Sequence, residues 1–218
     1  MSNTIKTAVV TGNHAFDVVN FHLLLRRLDD IDSYVQHLDD LASTPQAVRD
    51  AYDVVLFYFM PTHSPSDANL PWYAGQPRAA LERILETGQG IVILHHGLLA
   101  YPQWPEWSAL VGIVNREFGY HPEQTIRVEI ADSEHPITTG LSDWEMVDET
   151  YTMKQPASDS HVLLTVDHPH SIKAVAWTRR VGQNRVFCLV LGHDNRAWSQ
   201  HNFQQVLGRG IRWAGGAL

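Results

Sequence analysis

Apolar and polar residues alternate between two rhythms along the first half of the chain. Thr7–Thr11 and Asp53–Phe59 are short, nearly continuous apolar runs, the pattern of strands buried on both faces. Tyr34–Leu38 reads as a further strand, and Ile91–Leu94 as a wholly apolar one. Between them the period lengthens. Val18, Phe21, Leu24, Leu25 and Leu28 recur at helical spacing behind Asp17, a fitting N-cap, to about Asp30. Thr44-Pro45 opens a short helix to about Ala51. Pro77–Thr87 is a third helix, with Leu81, Ile84 and Leu85 on one face and Gly88 closing it. Strands alternating with helices predict a parallel, doubly wound sheet with right-handed crossovers.

The second half reads differently. Thr125–Ile130 alternates strictly, as a half-exposed strand does. Val162–Val166, Ala174–Thr178 and Arg185–Leu191 are strands with short connections, and Phe203–Trp213 is a closing helix. The expected fold is α/β: a doubly wound, mostly parallel sheet with an antiparallel extension, in a single domain over residues 1–218.

Composition narrows the function classes. The 218 residues are 44% hydrophobic and 18% charged, which suits a packed core rather than disorder. A net charge of −8 argues against nucleic acid. No apolar run approaches the ~20 residues of a membrane helix. Met1–Lys6 lacks the apolar segment of a signal peptide, and the one cysteine, Cys188, lies in an apolar run. Together these predict a reducing, cytoplasmic location. A homo-oligomer is left open.

Thirteen histidines and seven tryptophans are many for this length. His95 and His96 stand where the Ile91–Leu94 strand meets Gly97, at the carboxyl end where open α/β sheets bind ligands. His193-Asp194 follows another buried strand, and His14 follows the first. Asp148-Glu149-Thr150-Tyr151 puts two acids beside a phenol. Adjacent strand residues face opposite ways, so Glu149 and Tyr151, which share parity, are favoured over Asp148. Trp104, Trp107 and Trp198 could stack on sugar rings or serve the core; Glu106 could face a ligand or simply open a helix. His121-Pro122 is read as a loop whose histidine could reach the site; His135-Pro136 as a structural turn. The loop Met60–Gln76 is long enough to suggest a functional role. His14, His96, His193 and Glu149 have the donor types for zinc or another divalent ion, though no short ligand motif is present.

Several segments, in order, resemble one family. They are Tyr52–Phe57, Gly88–Gly97, Trp104–Trp107 with Leu110–Gly112, His135–Thr138, Asp148–Tyr151, Ala176–Thr178, Arg185–Phe187, Gly192–Asp194 and Trp213-Ala214. On these the chain resembles the ThuA-like (trehalose utilisation) proteins, which have a class I glutamine amidotransferase-like, flavodoxin-like fold. The family pattern has one histidine before the glycine, and His96, next to Gly97, is taken as its counterpart. Amidotransferases carry a nucleophilic cysteine at this elbow. Here there is none, which argues against thiol-dependent glutamine hydrolysis, while His193 falls where their histidine sits. The resemblance implies action on a sugar or keto-sugar derived from trehalose-like disaccharides, alongside an oxidoreductase that makes 3-keto sugars. The expected chemistry is histidine acid–base catalysis, with or without a metal, of isomerase, lyase or hydrolase type. His96 or His193 is the expected base and Glu149 or Tyr151 the acid. His14, His95, Trp104, Glu106, His121 and Asp194 are the expected substrate contacts. The alternative is a non-catalytic sugar-binding or regulatory module on the same scaffold.

Overall fold

The computed structural model describes residues 4–218. Met1–Asn3, half of the segment read as lacking a leader, lie outside the described residues.

Nine strands form one sheet: β1 (Ile5–Gly12), β2 (Ile31–His37), β3 (Val54–Phe59), β4 (Gly90–Leu94), β5 (Gly119–Ile130), β6 (Trp144–Thr152), β7 (His161–Val166), β8 (Ala174–Val181) and β9 (Asn184–Leu189). Their order is β2-β1-β3-β4-β9-β8-β7-β5-β6. The first five in that order run parallel. From β9 onward every pairing is antiparallel. The parallel part has the doubly wound flavodoxin order, with β9 as its last strand. The antiparallel extension adds four strands to the five of the parallel core.

Local chemistry explains the helices. Asp17 caps α1 (Val18–Arg26) by accepting from Asn20 N, and the helix buries Phe21, Leu24 and Leu25. It stops four residues short of the expected Asp30, a residue held in the left-handed region at φ 60°. β2 begins earlier and ends at His37. Leu38, read as strand, instead opens α2 (Leu38–Ser43). The signal was concealed because a histidine caps it: the His37 ring accepts from Asp39 N, and Asp40 accepts from His37 N. α3 (Gln46–Arg49) is the Thr44-Pro45 helix, one turn long. α4 (Pro77–Thr87) has the expected bounds and ends on Gly88 at φ 74°. α5 (Pro105–Val111), α6 (Asn195–Trp198) and α7 (His201–Ala214) complete the set.

In the second half, β6 was legible only as an extended piece around Glu149. β5 starts six residues before the alternating run, at Gly119. His121-Pro122 is therefore not a loop: His121 pairs with Thr150, and the strand bulges before Gln124, where Glu123 takes φ 57°.

α7 packs on the sheet so closely that β4 must begin with glycine. A Cβ at Gly90 would lie 2.5 Å from the Ala214 carbonyl carbon, and backbone cannot give way as a side chain can. Gly90→Ala is expected to cost about 1–3 kcal/mol through overpacking. A lowered denaturant midpoint at unchanged slope would record it; an unchanged midpoint would refute the close approach.

Candidate functional site

The carboxyl ends of β1, β4 and β9 face one crevice, and β6 folds back across it. β4 ends at Leu94, and the chain turns at once. His95 takes φ 50°, and His95–Leu99 forms a 3-10 turn. Gly97 is required there, because a Cβ would meet the Phe57 carbonyl oxygen at 2.6 Å. Trp107 Nε1 ties the turn down by donating to Gly97 O at 3.0 Å.

This turn swings His95 toward β9. Its ring is fully buried, and Nδ1 lies 2.7 Å from the Val190 carbonyl oxygen. A carbonyl only accepts, so Nδ1 carries the proton and Nε2 the lone pair. Around that lone pair stand the Tyr151 hydroxyl at 2.7 Å, His193 Nδ1 at 3.1 Å and Glu149 Oε1 at 3.5 Å. Glu149 Oε1 is also 3.4 Å from His193 Nδ1. His193 and Glu149 are the members that solvent reaches, with side chains 30% and 11% exposed.

The loop carrying His193 is gripped from several sides. Asp148, 2% exposed, accepts from Gly192 N at 2.7 Å, His193 N at 3.0 Å and its neighbour Glu149 N at 2.9 Å. Tyr58 donates its hydroxyl to His193 O at 3.0 Å, and Trp198 Nε1 donates to Gly192 O at 2.8 Å. Burial pushes the Asp148 carboxyl up, against the pull of the nearby His95 imidazole and these backbone donors. Burial also pulls the Glu149 carboxyl up, but bonding to His95 and the nearness of the His193 and His95 imidazoles outweigh it and hold the group below its usual range. Burial, then the Glu149 charge, pushes the Tyr151 phenol well up, so it stays a neutral donor.

His96 points elsewhere. Its ring is 1% exposed, stacked on His14 at 4.1 Å and tilted against Tyr58 at 4.2 Å. Neither ring nitrogen has a hydrogen-bond partner among the described residues, and burial keeps the imidazole neutral. The expected metal set of His14, His96, His193 and Glu149 is thus not the one that converges. Among the described residues, His95, Glu149 and His193 do, with donor atoms all within 4.8 Å of one another. The left-handed residue at position 95 is the physical reason: it presents the first imidazole to β9 and turns the second back toward β1.

Four expected substrate contacts are corrected. Trp104 is 5% exposed and packs on Tyr101 and Trp107 in the core, so it offers no face to a sugar. Trp107 and Trp198, each 1% exposed, are likewise core residues that brace the two site loops. Glu106 is an exposed first-turn acid of α5. Asp194 caps α6, accepting from Arg196 N and pairing with the Arg196 guanidinium at 2.8 Å. His121 packs against His170 at 4.2 Å rather than against the central imidazoles. His14 stays beside the cluster, its ring 6.1 Å from that of His193. Two residues escaped the sequence reading. Asp148 was set aside on strand parity, yet both faces of β6 are covered. Tyr58 was concealed in an apolar strand, where the one hydroxyl near its carboxyl end was the available signal.

The only thiol, Cys188, is fully buried in β9 beside Ile93, and burial raises its pKa far above the thiol range.

Solved structures share this fold. A ThuA-like protein from Parabacteroides merdae aligns at TM-score 0.73 and 19% identity, over 97% of this chain and 90% of that one. A cytoplasmic protein of Salmonella typhimurium aligns at 0.67 and 12%, over 95% and 98%. PurLQS from Thermotoga maritima aligns at 0.60 and 12%, over 96% and 99%, in keeping with a glutamine amidotransferase-like fold. No curated protein sequence matches the chain. The family model described as trehalose utilisation matches residues 21–214. With nearly the whole described chain inside that match, the protein belongs to the ThuA (trehalose utilisation) family.

Proposed function

We propose that this chain is an enzyme that acts on a keto-sugar derived from a trehalose-like disaccharide, by proton transfer at His193 and Glu149. The observation that carries this reading is the convergence of His95, His193, Glu149 and Tyr151 where an open α/β sheet takes its ligands. Family membership supports the sugar class. A ketone acidifies the carbon beside it. His193 takes that proton, and the electron pair enters the enolate. Collapse of the enolate either returns a proton to another carbon, which isomerises the sugar, or expels the glycosidic oxygen two carbons from the ketone, which takes the proton back from His193 and leaves as the hydroxyl of the second sugar, with an enone as the other product. Glu149 holds the imidazolium that forms, and His95 and Tyr151 fix both groups from behind. Cys188 is out of reach, so a thiol-dependent glutaminase reaction has no nucleophile here.

A cytoplasmic location is part of the proposal. It is supported by the lone buried thiol and by the Salmonella typhimurium neighbour described as a cytoplasmic protein. Among the described residues no helix is long and apolar enough to cross a membrane.

The test is a 3-keto disaccharide of the trehalose type incubated with the protein in deuterated water. Deuterium at the carbon beside the ketone, or release of the second sugar, is the expected result. Saturable binding with neither would instead make the chain a sugar-binding module.

A further inference from the structure

We infer that His95 Nε2, His193 Nδ1 and Glu149 Oε1 are three ligands of a divalent transition-metal site, with zinc the ion that fits. The distances carry the argument. The three donor atoms are 3.1, 3.5 and 3.4 Å apart. Zinc bonds nitrogen and oxygen at roughly 2.0–2.2 Å, so two ligands of a tetrahedral site stand roughly 3.3–3.6 Å apart. Octahedral ligands at those bond lengths stand roughly 2.8–3.1 Å apart. Two of the three separations match the tetrahedral value.

The lone pairs agree with the distances. His95 Nδ1–H is committed to the Val190 carbonyl, which leaves the lone pair on Nε2. A metal-binding histidine is commonly oriented in this way by a hydrogen bond from its other nitrogen. Nε2 also stands 3.5 Å from a Glu149 carboxylate oxygen, so two lone-pair groups face each other across a gap that a cation can bridge. The Tyr151 hydroxyl now bonds Nε2, and an ion there would take its place. The ligands come from the end of β4, from β6 and from the loop after β9. Asp148 and Tyr58 hold that loop by the backbone N–H and carbonyl of His193 itself.

The site is open on one side. His95 is fully buried, whereas the side chain of His193 is 30% exposed and that of Glu149 11%. Three protein ligands with a remaining position toward solvent are the arrangement of a catalytic ion rather than of a structural one. Such an ion would polarise a sugar ketone or hydroxyl, and with His193 and Glu149 held as its ligands a water on the ion would stand in for the free imidazole as proton acceptor, so the acid–base scheme above is that of the ion-free protein. The inference rests on the proposed sugar chemistry for its purpose only, because ion binding is measured without any sugar.

The experiment is titration of chelator-stripped, dialysed protein with zinc by calorimetry, repeated with cobalt for its visible spectrum. One equivalent per chain and a tetrahedral cobalt spectrum are expected. Glu149→Gln and His193→Ala are each expected to weaken binding about 100-fold or more, since losing a ligand costs at least as much as losing an outer-shell partner. His201→Ala, at an exposed position on α7, is expected to leave it unchanged. His95 is too buried for a safe alanine variant; Glu149→Gln keeps size and shape. No stoichiometric equivalent, or one that survives both ligand variants, would overturn the site. Bound zinc without keto-sugar turnover would overturn the proposed reaction alone; turnover by protein that binds no zinc would overturn the metal alone.

Discussion

Removing the imidazole of His193 is expected to lower kcat about 10²–10⁴-fold, the span of a general acid–base group. Stability should barely change. The ring is partly exposed, and what holds this residue is its backbone: Asp148 takes its N–H and Tyr58 donates to its carbonyl. An alanine keeps both bonds. Glu149→Gln should fall in the same range, because it replaces the charge that stabilises an imidazolium by a neutral amide of the same shape. The double variant should fall little further than either single one, since groups that act as a unit are not additive. Steady-state kinetics on the keto-disaccharide, with a thermal melt of each variant, checks all three. The comparison with His96→Gln is decisive. His96 is sealed between His14 and Tyr58, so its loss should cost stability before it costs turnover. Full turnover in the His193 variant, with turnover lost in a folded His96 variant, would reverse the assignment.

Asp148→Ala is expected to destabilise the fold by about 3–5 kcal/mol, the range for removing one partner of a buried charged interaction. Its carboxylate accepts from three backbone N–H groups, and a buried donor left without an acceptor costs about 1–3 kcal/mol. Asp148→Asn keeps one acceptor oxygen and should retain roughly half of the lost stability. Chemical denaturation orders the variants. Asp148 touches no substrate; it is a positioning residue, and its kinetic signature should be specific. At a temperature where Asp148→Asn is folded, kcat should drop with KM nearly unchanged, because the misplaced group is the one that moves the proton. An alanine variant as stable as the wild type would show that the backbone donors find other partners.

What the sequence disclosed and what it concealed follow from the range of the interactions involved. β3, β4 and α4 were legible because burial on both faces and a Pro-to-Gly frame are local properties. α2 was not, because its cap is a histidine, outside the usual set of capping residues. β6 was legible only in part: it lies at the sheet edge and carries acids that ordinarily mark a solvated turn. The crevice was found from strand ends alone, which brought out His14, His95, His96, His193, Glu149 and Tyr151. Which of two adjacent imidazoles joins Glu149 and His193 depends on the sign of φ at His95, and adjacency to Gly97 pointed to His96 where the structure brings in His95. Asp148 fell to a parity rule that holds when one face of a strand is wet. Here the loops after β7 and β9 cover the second face, with Thr150 donating to His170 O and Asp148 accepting from Gly192 N. The tryptophans were ambiguous because an indole that braces a loop and one that stacks on a sugar leave the same trace in a sequence.

The return of β6 across the crevice also sets the order in which the molecule matures. His95 meets a residue 56 positions later, Tyr151, and another 98 positions later, His193. Contacts this distant along the chain close late in folding, after hairpins and helices have formed. The pairing of β4 with β9 that completes the parallel core spans a similar distance, from Ile91 to Val186, so core and pocket close together and neither half of the polypeptide holds the pocket alone. Competence arrives with the final long-range closure, which makes turnover a stricter gauge of native structure than helix content.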